Sequence, residues 1–61
     1  MYKNGFEFEV VKNGIIGMID GVSTTGIYSV CFYENGEMYH RADVYESTIT
    51  NNLECGTYKA L

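Results

Sequence analysis

The histidine and the two cysteines are the residues of this 61-residue chain best suited to chemistry. A cysteine beside a histidine can act as an activated nucleophile, and such side chains can also bind zinc. His40 faces Cys31 in the hairpin derived below, but no motif supplies a third group to orient the histidine or an oxyanion site. Cys31 and Cys55 lie 24 positions apart, whereas structural zinc sites use close pairs such as Cys-x-x-Cys. We therefore predict no catalytic site, metal site or cofactor.

The acidic side chains are a second candidate, because two carboxylates can act as general acid and base. Such a pair needs an apolar cleft that shifts a pKa, and a chain of this length has little room for one. The run from Asp20 to Ser23 lacks the lysine and the length of a phosphate-binding loop. We expect a solvated acidic face instead, formed by Glu7, Glu9, Glu34, Glu37, Asp43, Glu46 and Glu54.

Six tyrosines point to binding rather than catalysis. They are more rings than one small core can enclose, and tyrosine is enriched at protein interfaces because its ring is apolar and its hydroxyl polar. We predict a partner-binding surface on the outward side of a hairpin. Tyr33 and Met38 form its centre with Tyr45 nearby, and Glu34 and Glu37 form its rim.

Charge restricts the class of partner. Eight acidic and four basic residues give a net charge of −4, whereas nucleic-acid binding gains most of its affinity from lysine and arginine. We therefore predict a non-catalytic module that binds another protein or a second copy of itself, since a homodimer would enlarge so small a core. The alternative is a nucleic-acid-binding module that uses Lys12, Arg41, Lys59 and stacking tyrosines.

Composition predicts one folded domain over residues 1–61. The chain is 46% hydrophobic and 15% aromatic without proline, which is the opposite of a disordered composition. The N-terminus shows no apolar signal-peptide segment, and no apolar run approaches the length that spans a bilayer. We expect a cytoplasmic protein with reduced cysteines.

The elements that position these residues are predicted to be strands, because the hydrophobic period is two. Phe6–Val10 alternates apolar and acidic residues. Gly17 lies within the second strand, where glycine is typical of a bulge or bend, and residues 20–26 are predicted to be a loop. The five predicted strands cover residues 6–10, 15–19, 27–33, 38–41 and a short segment at 57–59.

Asn35-Gly36 predicts a two-residue type I′ turn between the third and fourth strands. A four-residue loop is the alternative, because it would separate two facing glutamates. The two-residue turn gives the pairs Glu34–Glu37, Tyr33–Met38, Phe32–Tyr39, Cys31–His40 and Val30–Arg41. The predicted core side holds Tyr28, Val30, Phe32 and Tyr39, and the outward side holds Ser29, Cys31, Tyr33, Met38 and His40.

The C-terminal third is less regular. Asp43 to Glu46 matches a capping box, which predicts a 3₁₀ turn, although the residues around it also suit a strand. Asn51-Asn52 predicts a further turn. No helix longer than one turn is predicted.

Three segments together resemble the small SH3-like barrels of KOW type, and the resemblance covers about residues 6–50. These segments are Gly14–Ile19, Tyr28–Glu37 and Ala42–Glu46. The resemblance implies a five-stranded SH3-like barrel of the kind found in short accessory proteins of phages and mobile elements. It also implies contact with nucleic acid or with ribosomal and transcription proteins.

Overall fold

A computed structural model describes residues 2–61 of the chain, and for Tyr39 the backbone alone. The described part is mostly strand with one short helix, as the alternating sequence predicts. The elements in chain order are β1 (Glu7–Val10), β2 (Ile15–Thr24), β3 (Ile27–Glu34), β4 (Glu37–Tyr45), α1 (Glu46–Cys55) and β5 (Tyr58–Ala60).

The strands form one antiparallel sheet in the order β4-β3-β2-β1-β5. All five predicted strands are confirmed, with longer bounds for β2 and β4. The sheet is not closed, so β4 and β5 are its two edges and the predicted barrel is not confirmed. The helix runs between these edges and contacts both of them.

The two-residue hairpin turn is confirmed. Asn35 and Gly36 have φ values of 54° and 84°, which is the left-handed conformation that a type I′ turn requires at both positions. Glu34 lies opposite Glu37 and Tyr33 opposite Met38, as predicted.

The hairpin register beyond those two pairs is wrong by one residue. A bulge at Tyr39 shifts it, because β4 contributes an extra residue between two successive pairs. The next pairs are Phe32–His40, Cys31–Arg41 and Val30–Ala42. The predicted pairs of Phe32 with Tyr39, Cys31 with His40 and Val30 with Arg41 do not form.

Gly17 does not mark a bulge, because it pairs in register with both of its neighbouring strands. It lies opposite Phe8, and a Cβ atom added to Gly17 would stand 2.3 Å from Cζ of that ring. The bulges of β2 come later, between Ile19 and Gly21 and between Val22 and Thr24. Each bulge leaves one residue of β2 without a partner on β3, so pairing resumes after it. β2 therefore continues through most of the segment predicted as a loop.

The predicted 3₁₀ turn and the predicted turn at Asn51-Asn52 are both wrong, since α1 occupies Glu46–Cys55. Asp43 belongs to β4, and the N-cap of the helix is Tyr45, which makes no side-chain capping bond. The helix forms because Ile49 and Leu53, four residues apart on one face, pack on the core. It ends at Gly56, whose φ of 88° is the usual left-handed C-cap.

The core lies between the sheet and the helix. Its buried members are Phe8, Ile19, Tyr28, Val30 and Ile49. The predicted core residues Tyr28 and Val30 are therefore confirmed, and Phe32 is half-buried against them. The prediction for Tyr39 concerns a side chain outside the described part of the chain.

Candidate functional site

The sheet has two unlike faces. Side chains alternate between them along each strand, and Phe8, Ile19 and Val30 meet Ile49 of the helix on one face, which we call the covered face. The N-terminal segment also packs there, through Tyr2 and Phe6. We call the opposite side the open face, because the helix and the N-terminal segment both lie on the covered side.

One row of side chains crosses the open face from edge to edge. Met38 lies opposite Tyr33, Tyr33 opposite Ile16, and Ile16 opposite Glu9. Lys59 of β5 completes the row opposite Glu9. Three adjacent apolar residues thus lie beside a pair of oppositely charged residues, Glu9 and Lys59. The outermost apolar residue, Met38, is 53% exposed.

A second row runs beside the first. Cys31 of β3 lies between Arg41 and Met18, and Met18 lies opposite Glu7. Cys31 faces outward, as predicted, yet it is only 2% exposed because longer neighbours surround it. Ile16, Met18, Tyr33 and Met38 form a contiguous apolar surface around this thiol, which we call the open-face strip.

Arg41 limits the strip on one side. Its Nη1 donates to Oδ2 of Asp20 at 2.8 Å and to Oγ of Ser29 at 3.4 Å. The guanidinium therefore crosses β3 from β4 to reach the middle of β2. The hydrogen bond to Asp20 raises the pKa of Arg41 above its ordinary value, and the pair separates the apolar strip from a polar region.

Acidic groups border the strip elsewhere. Glu7 and Glu9 lie beside it on β1. The exposed Glu34 and Glu37 face each other at the end of the hairpin, but they are one residue from Tyr33 and Met38 and so point to the other side of the sheet. Glu7, Glu9 and Asp20 outnumber the cations of this face, Lys59 and Arg41. The border is therefore negative overall.

The structure places four of the five predicted partner-binding residues at the same end of the hairpin. Tyr33 and Met38 are cross-strand neighbours on the open face, and Glu34 and Glu37 form the next pair, which points to the other side of the sheet. Tyr45 is 63% exposed but lies opposite Ile27 at the far end of β4, roughly 20 Å from Met38 at the usual rise of a strand. Sequence reasoning missed Ile16 and Met18, because the two-residue turn between β2 and β3 lies inside the segment predicted as a loop, and two bulges then shift the register of these strands.

Three tyrosines have structural roles instead. The backbone N–H of Tyr2 donates to the hydroxyl of Tyr28 at 2.9 Å, and the hydroxyls of Tyr2 and Thr50 are 2.8 Å apart. Tyr58 stacks on Phe8 with ring centroids 4.4 Å apart. Tyr33 and Tyr45 are the described tyrosines that remain on the open face.

The residues considered for nucleophilic chemistry are separated by the Tyr39 bulge. His40 lies opposite Phe32, and their rings stack at 6.0 Å on the covered side, whereas Cys31 points to the open face. Cys55 is exposed at the last residue of α1, and its Sγ is 3.1 Å from Oγ1 of Thr57. That hydrogen bond lowers the pKa of the Cys55 thiol. Among the described residues no group of three His, Cys, Asp or Glu is placed to hold a metal ion.

The cations of the nucleic-acid alternative are dispersed. Lys12 lies in the turn between β1 and β2, Arg41 lies on one edge strand, and Lys59 lies on the other. The structure does not bring these three residues into one patch.

Comparison with protein-family models, with curated proteins and with solved structures finds no significant match to this chain. Within residues 2–61, the helix is too short and too polar to cross a membrane. The same residues form no pocket.

Proposed function

We propose that this protein is a non-catalytic module that binds another protein through the open-face strip and its acidic border. The observation that carries the proposal is the row of Met38, Tyr33 and Ile16 on the side of the sheet opposite the helix. An apolar surface rimmed by polar groups is typical of protein interaction sites.

The chemistry of the strip indicates the kind of partner. Tyrosine and methionine are enriched at the centre of protein interfaces, and truncating a central tyrosine commonly costs about 2 kcal/mol or more of binding free energy. The acidic border, together with a net charge of −4, favours a partner whose apolar patch is flanked by lysine and arginine. Basic proteins that otherwise hold nucleic acid have such surfaces.

The resemblance to SH3-like barrels of KOW type extends this proposal. On that basis we assign the protein an accessory or inhibitory role of the phage type, exercised in the cytoplasm. The SH3-like assignment itself is supported by the resemblance of residues 6–50 and not by closure of the sheet.

The test is affinity capture from the native host with a tagged chain, compared between variants. We expect Tyr33→Ala combined with Met38→Ala to abolish recovery of a partner that the parent chain retains. The matched control is Val11→Ala combined with Val22→Ala, because these side chains are 54% and 63% exposed and lie outside the strip. Tyr45→Ala tests whether the distant tyrosine contributes.

Circular dichroism must show that each variant keeps its fold. Equal recovery with the strip variant and the control variant would reject the proposal. A gel-shift titration at low salt distinguishes the nucleic-acid alternative, since binding at micromolar protein that falls steeply with salt would support that alternative instead.

A further inference from the structure

The two edges of the sheet differ greatly in length. β5 has three residues, whereas β4 has nine. An edge strand presents unpaired backbone N–H and C=O groups, and natural proteins usually protect long edges with proline, charged side chains or a bulge. β4 contains no proline, its bulge lies near its start, and its charges beyond the bulge, Arg41 and Asp43, are of opposite sign. The segment from Arg41 to Tyr45 is thus a regular edge on which a further strand can pair.

Symmetry restricts how two copies of this edge can pair. An antiparallel pair related by a twofold axis perpendicular to the sheet keeps paired side chains on the same face, so one residue lies opposite its own copy at the axis. An axis at Arg41 would place two guanidinium groups opposite each other, and an axis at Asp43 would do the same with two carboxylates. An axis at Ala42 instead places Arg41 opposite Asp43 twice.

We propose that a second copy of this chain pairs with the β4 edge about a twofold axis at Ala42. The two five-stranded sheets then form one sheet of ten strands, with an Arg41–Asp43 pair on each side of the axis. His40 lies opposite Val44 on the covered face in this register, and the helices of both copies lie on the same side.

The atoms needed for these pairs are present. Arg41 contacts Asp20 and Ser29 through Nη1, and Asp43 accepts from Ser23 at Oδ2 over 3.3 Å. The remaining guanidinium nitrogens and Oδ1 of Asp43 make no hydrogen bond to the described residues. Both side chains now reach inward over β3, so each turns outward from its own β2 partner to bind the second copy when the two edges pair.

This inference does not depend on the proposed function, because Tyr33 and the other residues of the strip take no part in the strand pairing. The dimer places two open-face strips side by side on one surface. A partner with two matching patches would then bind with avidity.

Sedimentation velocity over a range of protein concentrations tests the proposal. The parent chain should be dimeric in the micromolar range. Arg41→Asp and Asp43→Arg each place like charges opposite one another across the axis, so each should raise the dimer dissociation constant by about tenfold or more. An equimolar mixture of the two variants should restore dimers, because every cross-axis pair in the heterodimer is then of opposite charge.

Asp20→Asn is the control, since it removes the partner of Arg41 within the chain and should leave the dimer intact. Circular dichroism establishes that every variant is folded. The mixing experiment uses the two single variants only. A parent chain that stays monomeric at several hundred micromolar would overturn the proposal. Single variants that dimerise like the parent, or folded variants that do not associate when mixed, would also overturn it. The Tyr33/Met38 variant should remain dimeric, which separates this test from that of the proposed function.

Discussion

The covered and open faces of the sheet are built from the same strands but have different surroundings. On β2, Ile19 is fully buried under the helix, whereas Ile16, only three residues earlier, lies half-buried on the open face. Both are isoleucines in regular pairing with β3. Residue type therefore does not decide burial here, and the path of α1 does. Apolar residues on the covered face hold the fold together, and those on the open face form the surface that we propose binds a partner.

The sharpest test of this difference is the same substitution on each face. We expect Ile19→Ala to reduce the free energy of unfolding by about 2–5 kcal/mol, because it leaves a cavity in the core. Total stability for a chain of this size is about 3–9 kcal/mol, so this variant should be largely unfolded. Ile16→Ala should cost only about 1 kcal/mol, since solvent already reaches this side chain. Urea denaturation followed by circular dichroism measures both, and equal losses would mean that the faces do not differ.

Two glycines of β2 provide a second comparison. Gly17→Ala should cost about 1–3 kcal/mol, because the added methyl group overlaps the buried ring of Phe8. Gly21→Ala meets no atom within 4 Å and should be neutral or slightly stabilising. The same denaturation measurement applies, and a neutral Gly17→Ala would show that the ring does not pack over this backbone.

Removing a tyrosine hydroxyl on each face gives a smaller effect. Tyr2→Phe should cost about 1 kcal/mol through loss of the hydrogen bond to Thr50. Tyr45→Phe should change stability by less than about 0.5 kcal/mol, because that side chain is largely exposed. Thermal melts report both changes, and a larger loss from Tyr45→Phe would reverse the expected order.

The alkylation rates of the two cysteines give the smallest expected effect. They test whether an outward-facing side chain is also exposed to solvent. Cys55 should react with iodoacetamide at pH 8 much faster than Cys31, which is buried although it faces outward. Thr57→Val removes the hydroxyl that lowers the pKa of Cys55. The pKa then rises, less thiolate is present at pH 8, and alkylation should slow by a few-fold.

Peptide mass spectrometry assigns each modification to its cysteine. Unchanged Cys55 reactivity in Thr57→Val would show that this hydrogen bond does not stabilise the thiolate. Rapid alkylation of Cys31 would show that its neighbours on the open face do not shield it.

Local sequence determined the strands and the hairpin turn of this protein. The alternation in Phe6–Val10 and the Asn35-Gly36 dipeptide act over a few residues, because side-chain direction along a strand and positive φ at a turn are local properties. The outward placement of Tyr33 and Met38 follows from the same local pattern, since both lie next to the turn.

Tertiary structure decided the rest. The bulge at Tyr39 moved Cys31 away from His40, and no local signal marks the position of a bulge. The helix spans threonine and asparagine residues that favour caps and turns over helix interiors, and it forms because burial of Ile49 against the sheet outweighs that preference. The path of that helix also selected which face stayed open and joined Ile16 and Met18 to the predicted site. Contacts between residues distant in the chain determine these three features, and a short sequence pattern does not encode such contacts.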